Sequence, residues 1–309
     1  MDDSYIQSKK DAVSGLLVLI GLCLLGMVVF SGIGMFIAKL VTGLDAADIQ
    51  EIASGGGTSI PGSRMAVLLL QGSISLGGFI AFPSLVYLLK KNTFKATGKI
   101  NLNFTLLLLV LVLSLLMLPV NGWLASWNES IHFPSFLNDF YHWARAKENE
   151  MQKLTVFLVD FRNPIEVVSG FIVISLIAGL SEEFFFRRMV QPQVQKLAGN
   201  PHFAIWITAF IFSAIHFQFF GFIPRMALGA LFGYYFYWTG NIWLPVFGHC
   251  LNNGITLIGM YLYNRNMSPI DVEDPGQIPW YLGAVAAGVT WSLATMVKDE
   301  ADKIRNREK

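Results

Sequence analysis

Eight stretches of mostly apolar residues punctuate the chain, at about 13–41, 66–89, 102–123, 164–190, 202–220, 222–239, 241–263 and 280–297. Each is close to the roughly 20 residues that a helix needs to cross the hydrocarbon core of a bilayer. Lipid offers no partner to a free N–H or C=O, so runs of this kind predict helices that satisfy their own backbone. The expected fold is therefore all-α, a polytopic bundle of about eight transmembrane helices. The first stretch is too long for a cleavable signal peptide and has no small-residue cleavage site ahead of a polar domain, so it is expected to remain as a helix.

The connections add detail. Segment 124–163 is the least hydrophobic part of the chain. Trp123 just ahead of it and its Trp127, Phe133, Phe136, Phe140, Tyr141 and Trp143 suit a membrane interface, and 148–161 has the makings of an amphipathic surface helix. Segment 46–63, with Gly55-Gly56-Gly57 and Pro61, reads as a flexible loop. Turns at Gly199-Asn200-Pro201, near Gly221 and at Gly240 make the fourth to seventh stretches consecutive antiparallel hairpins. Gly229 and Gly233, four apart, predict a helix that packs closely on a neighbour. Three regions result: N-terminal spans and an interfacial segment (1–163), a four-helix core (164–263), and a last span with a basic tail (264–309).

Composition narrows the function classes. Hydrophobic residues make up 54% and charged residues only 14%, against about 25% charged in soluble proteins. The mean hydropathy is +0.52. A soluble enzyme is excluded, and the lipid bilayer becomes an obligatory partner. A net charge of +1 gives no basic field for nucleic acid. Cys23 and Cys250 both lie in apolar runs, which excludes a disulfide framework and a four-cysteine zinc site. Lys and Arg gather in alternate connections: Lys9 and Lys10; Lys90, Lys91, Lys95 and Lys99; Arg187, Arg188 and Lys196; and Lys298, Lys303, Arg305, Arg307 and Lys309. With eight spans these share one side, so both ends are expected to be cytoplasmic, in a multi-pass protein of the plasma membrane.

Ionisable residues in the spans carry the chemistry. Each costs roughly 2.5–3.5 kcal/mol on insertion scales and so requires a reason. The fourth stretch ends Ser181-Glu182-Glu183-Phe184-Phe185-Phe186-Arg187-Arg188. Glu183 and Arg187, at i and i+4, share a helix face and can pair. Glu182 lies about 140° from Arg187 and faces elsewhere. The fifth stretch places His216 one turn after Phe212, and the seventh places Asn252 and Asn253 one turn after His249. Counting from the first turn, with the helix continued past Pro192, puts Glu182 and His216 at similar depth.

A carboxylate and an imidazole sharing a water make a general base. A second imidazole and a carboxamide can donate to an oxyanion. Hydrolysis of an amide by activated water is thus within reach of these side chains. Glu182, His216 and His249 could equally hold zinc, since two His and a Glu form a catalytic ligand set. No His-Glu-x-x-His motif occurs, no Gly-x-Ser-Gly occurs at Ser14, Ser31, Ser54 or Ser169, and no span holds an aspartate.

Glu182-Glu183-x-x-x-Arg187, Phe212-x-x-x-His216 and His249-x-x-x-Asn253, in that order, resemble the motifs of the CPBP (CAAX protease and bacteriocin-processing, or Abi) family, which includes the type II CAAX prenyl endopeptidase of eukaryotes. The resemblance covers about residues 165–260 and departs from many members at Arg188, where they have a small residue. It implies eight transmembrane helices and an intramembrane endopeptidase acting on a membrane-anchored protein or peptide. It implies Glu182 and His216 as activators of water, His249 and Asn253 as oxyanion stabilisers, and Glu183 and Arg187 as support. Members are described both as zinc metalloendopeptidases and as metal-free glutamate-dependent enzymes, and we prefer the metal-free version, with no cofactor. Two other classes compete: a proton-coupled transporter, since intramembrane Glu/His relays also mark ion pathways, and a non-catalytic immunity or scaffold protein that keeps the fold.

Overall fold

A computed structural model of the chain describes residues 3–53, 60–86, 100–271 and 279–308. Gly55-Gly56-Gly57, expected to be a loop, the basic residues Lys90, Lys91, Lys95 and Lys99, and Lys309 lie outside the described residues.

Among the described residues ten helices follow one another: α1 (Asp3–Thr42), α2 (Ala46–Ala53), α3 (Ser63–Ala81), α4 (Phe104–Glu129), α5 (Asn138–Val159), α6 (Pro164–Ala198), α7 (Pro201–Ala214), α8 (Phe222–Thr239), α9 (Trp243–Asn264) and α10 (Trp280–Arg307). No strand occurs among them. Of these helices, α1, α3, α4, α6 and α10 are long and apolar enough to cross a membrane, and α7 is apolar but shorter. Together with α8 and α9 they account for the eight apolar stretches of the sequence. The outer faces stay apolar where lipid would lie: Leu17 is 65% exposed and Trp291 75%.

Local chemistry sets the helix ends. Asn103, Asn163 and Asn200 each cap a helix, accepting backbone N–H groups of the first turn on the side-chain oxygen. Pro164 and Pro201 follow two of these caps, where a missing N–H costs nothing. Gly199 (φ +69°) and Gly240 (φ +62°) close α6 and α8 in the left-handed conformation that glycine adopts without strain.

Two departures from the expected elements matter for the site. The fifth span ends early: α7 stops at Ala214, so His216 sits beyond the helix, in a turn whose next residue, Phe217, has φ +53°. The hydroxyl of Ser213 donates to the carbonyl of Phe222 at 2.7 Å, tying the end of α7 to the start of α8. In addition, α6 is not a uniform α-helix. Its residues Phe171–Ile177 and Phe184–Val190 form wider π-helical turns. The second lies just ahead of Pro192, and the N–H of Gln191 donates to the carbonyl of Phe186, five residues back. A wider turn before the proline offers its ring room it lacks in a regular helix. The helix therefore continues past Pro192 to Ala198.

Two apolar clusters grip the middle of the bundle. One joins Leu19 and Cys23 of α1 with Phe79 of α3, Phe185, Phe186 and Met189 of α6, and Phe212 of α7. The other joins Val110 and Leu113 of α4 with Phe232 and Tyr235 of α8, Leu244 of α9 and Val297 of α10. The glycines of α8 do what their spacing suggests: a Cβ on Gly229 would press on Phe212, and one on Gly233 would meet Ile205 at 2.9 Å. His249 of α9 lies between them, against Phe212 of the first and Phe232 of the second.

Candidate active site

Close approach of α6 and α9 builds the site. A Cβ on Gly179 would meet the Cys250 sulfur at 2.7 Å, and one on Gly254 would meet Phe171 at 3.0 Å. Two hydrogen bonds fix the register: the Ser175 hydroxyl donates to the Cys250 carbonyl (2.8 Å), and the Asn253 amide donates to the Ile174 carbonyl (3.1 Å). Both accepting or donating residues on α6 lie in its first π-helical stretch, where the backbone pattern differs from that of an α-helix.

This register places His249 against both glutamates. Its Nδ1 is 2.9 Å from Glu183 Oε1, and its Nε2 is 3.8 Å from Glu182 Oε2. Glu183 is fully buried and also pairs with Arg187, whose Nε lies 2.8 Å from Oε2 and whose Nη2 donates to Oε1 at 3.2 Å. The Nε contact is an ion pair without hydrogen-bond alignment, and Nη1 of Arg187 has no hydrogen-bond partner. The guanidinium lies 5.2 Å from the centre of the Phe212 ring. Glu182 is the more open carboxylate, its side chain 16% exposed against 0% for Glu183.

Ring packing holds the imidazoles. Phe232 stacks on His249 at 5.0 Å with 20° between planes, and Phe212 lies edge-on to both His249 (5.9 Å) and His216 (5.1 Å). The Nδ1 of His216 is 2.8 Å from the Phe212 carbonyl. Carboxylate and carbonyl oxygens only accept, so in both histidines Nδ1 carries the hydrogen and Nε2 is left for chemistry. At 3.8 Å, Glu182 and His249 Nε2 do not bond directly, but both are in reach of one water.

The expected residues are thus distributed as follows. Glu182, Glu183, Arg187 and His249 form one contact network, and His216 joins it through Phe212. Asn253 reaches the backbone of α6 rather than an imidazole, with one N–H of its amide used there. Asn252 is buried, its Nδ2 3.4 Å from Asn253 Oδ1 and its own Oδ1 without a partner. Among the described residues no three His, Cys, Asp or Glu side chains converge as a metal ion requires. The Glu182, His216 and His249 donor set is not assembled as a ligand shell.

Sequence reasoning passed over Phe232, for which a phenylalanine in an apolar helix gives no signal. It also passed over Arg225. Arg225 stands in the first turn of α8 and interacts electrostatically with Glu182 and with Glu148 of α5. An ionisable residue at the start of an apolar run was the available signal.

Residues 164–255 match the family of the type II CAAX prenyl endopeptidase, Rce1-like. That segment, less than a third of the chain, is an Rce1-like domain, in agreement with the resemblance read from its motifs. The chain is also 28% identical over 88 residues to the uncharacterized protein YpbD of Bacillus subtilis (strain 168). That alignment takes in 27% of this chain and 42% of YpbD, so the chain spans less than half the length of the curated relative it matches. No solved structure matches the chain. An Rce1-like domain in a multi-pass helical bundle supports a membrane endopeptidase of the CAAX-protease type.

Proposed function

We propose that the protein hydrolyses a peptide bond of a membrane-anchored protein or peptide, using a water activated by Glu182. The observation that carries this reading is the less buried carboxylate of Glu182 standing 3.8 Å from His249 Nε2, while the neighbouring Glu183 is committed to Arg187 and to His249 Nδ1. Two adjacent carboxylates in different surroundings divide the labour: one is neutralised and structural, the other is free to take a proton.

In the ground state Glu182 and the Nε2 of His216 accept from the water. As oxygen attacks the scissile carbonyl, Glu182 takes the proton and later returns it to the leaving amine. His249 enters the reaction with a hydrogen on both ring nitrogens and keeps both throughout, donating from Nε2 to the developing oxyanion, and the second N–H of the Asn253 amide assists. Glu183 steadies the charged imidazole from the other side, the part an orienting carboxylate plays in hydrolytic triads. The scheme routes no step through a metal; that no three His, Cys, Asp or Glu side chains converge among the described residues supports this reading. Both chain ends are read as cytoplasmic and the membrane as the plasma membrane, on the charge pattern of the connections.

One substitution and one treatment test this. In purified protein assayed on a short S-prenylated peptide, His249→Ala is expected to lower kcat by about 10²–10³-fold, as for loss of an oxyanion donor. Exhaustive chelation is expected to leave the wild-type rate unchanged. Loss of activity on chelation, restored by zinc, would refute the metal-free mechanism.

A further inference from the structure

His216 depends for its position on a turn that is not self-supporting. Residues 215–221 leave α7 with no helical hydrogen bonds of their own beyond Phe217, which is left-handed at φ +53°. A non-glycine residue there costs free energy that surrounding contacts must supply. Those contacts come largely from the region before residue 164, outside the Rce1-like domain. Asn128, near the end of α4, grips the turn with both ends of its amide: Nδ2 donates to the Phe219 carbonyl (2.8 Å) and Oδ1 accepts the Ile223 N–H (3.1 Å). Glu148 of α5 accepts the Phe220 N–H at 3.1 Å. Arg145, one turn earlier on α5, lies 3.5 Å from the centre of the Phe220 ring and pairs with Glu129 of α4. Phe219 packs between Phe140 and Trp143 of α5.

Glu148 holds the turn by a second route. It interacts electrostatically with Arg225, whose Nη2 donates to the Gln218 side-chain oxygen at 2.7 Å. The same guanidinium interacts with Glu182. Burial pushes the Glu148 carboxyl above its ordinary range, while the Phe220 N–H, Arg225 and Arg145 pull it back and Glu129 adds to the rise. A half-buried acid kept on an otherwise amphipathic surface helix, with three such contacts, has a task.

We propose that α5 is a clamp on the active site, and that Glu148 is a positioning residue that fixes His216 by holding the Gln218–Phe220 turn. The kinetic half of this inference rests on the proposed hydrolysis; the positional half does not. A membrane-surface helix outside the catalytic domain then sets whether the water-activating pair is assembled.

The test compares full-length wild type, Glu148→Ala and Glu148→Gln in nanodiscs by amide hydrogen exchange and by cleavage of the S-prenylated peptide. In Glu148→Ala the protection of residues 216–223 is expected to fall about 10–100-fold, the loss of a hydrogen bond to a charged group, with α1 and α10 unchanged. Glu148→Gln, which keeps an oxygen for Phe220, should retain most of that protection. In the cleavage assay, kcat for Glu148→Ala should fall by about tenfold or more with KM within about twofold, and Glu148→Gln should recover most of it. Asn128→Ala should resemble Glu148→Ala, and the double variant should cost less than the product of the two, since both release the same turn. Unchanged exchange at 216–223 in Glu148→Ala would overturn the clamp. So would a uniform loss of protection in both variants, which marks Glu148 as a general stabiliser. If exchange falls locally while wild type cleaves no peptide, the clamp stands and the proposed hydrolysis fails.

Discussion

Replacing Glu182 by glutamine is expected to reduce peptide cleavage by about 10²–10⁴-fold while leaving the protein folded. The amide is the same size as the carboxylate and can still accept a hydrogen bond, but it cannot take a proton from water. Residual activity would come from His249 and Asn253, which do not depend on that proton. Stability should be unchanged or higher, because burial disfavours the Glu182 charge and the adjacent Glu183 repels it, against the pull of His249, Arg225 and Arg187. Active sites commonly hold destabilising groups of this kind, and removing them raises stability at the expense of function. The check is a cleavage assay alongside a thermal melt. Wild-type cleavage by Glu182→Gln would remove the central element of the mechanism, and a large drop in melting temperature would reassign Glu182 to structure.

The second large effect is on stability. Arg187→Met leaves Glu183 charged, fully buried and facing only His249. Breaking a buried pair by removing one partner typically costs about 3–5 kcal/mol, most of it the uncompensated charge. Removing both charges, as Glu183→Gln with Arg187→Met, should recover much of the loss, because a neutral amide and a thioether need no counter-charge. Activity should not recover, since His249 Nδ1 then lacks the carboxylate that steadies its charged form. A detergent unfolding series on the three proteins reads this directly. Equal destabilisation of the single and double variants would show that packing around Phe212, and not charge, holds this corner.

How much can be read from residues alone differs from element to element. Hydropathy locates the helices, since lipid leaves few alternatives to an apolar run of about twenty residues, and Gly199-Asn200-Pro201 marks its turn by stop, cap and start in sequence. The pairing of Glu183 with Arg187 follows from helical spacing. The end of α7 does not. Phe212-Ser213-Ala214-Ile215-His216-Phe217 contains no glycine or proline, and the helix stops because Ser213 and the following turn find partners on α8, α4 and α5. Contacts between segments so far apart in the chain leave no local signature. The π-helical turns of α6 are equally silent, although Pro192 hints at one. Asn253 shows the limit of spacing as a guide: sharing a stripe with His249, it turns to the Ile174 carbonyl across the helix interface.

Catalysis in this scheme turns on one act, the transfer of a proton from water to Glu182 as that water attacks the peptide. A single turnover by purified wild type in ¹⁸O-labelled water, followed by mass spectrometry of product and enzyme, reports on it. Water activated by Glu182 puts the heavy isotope into the newly formed carboxylate and leaves Glu182 unlabelled. A label in the Glu182 side chain, with unlabelled product, would mean that the carboxylate itself attacks the substrate, and would contradict the role of Glu182 as the base.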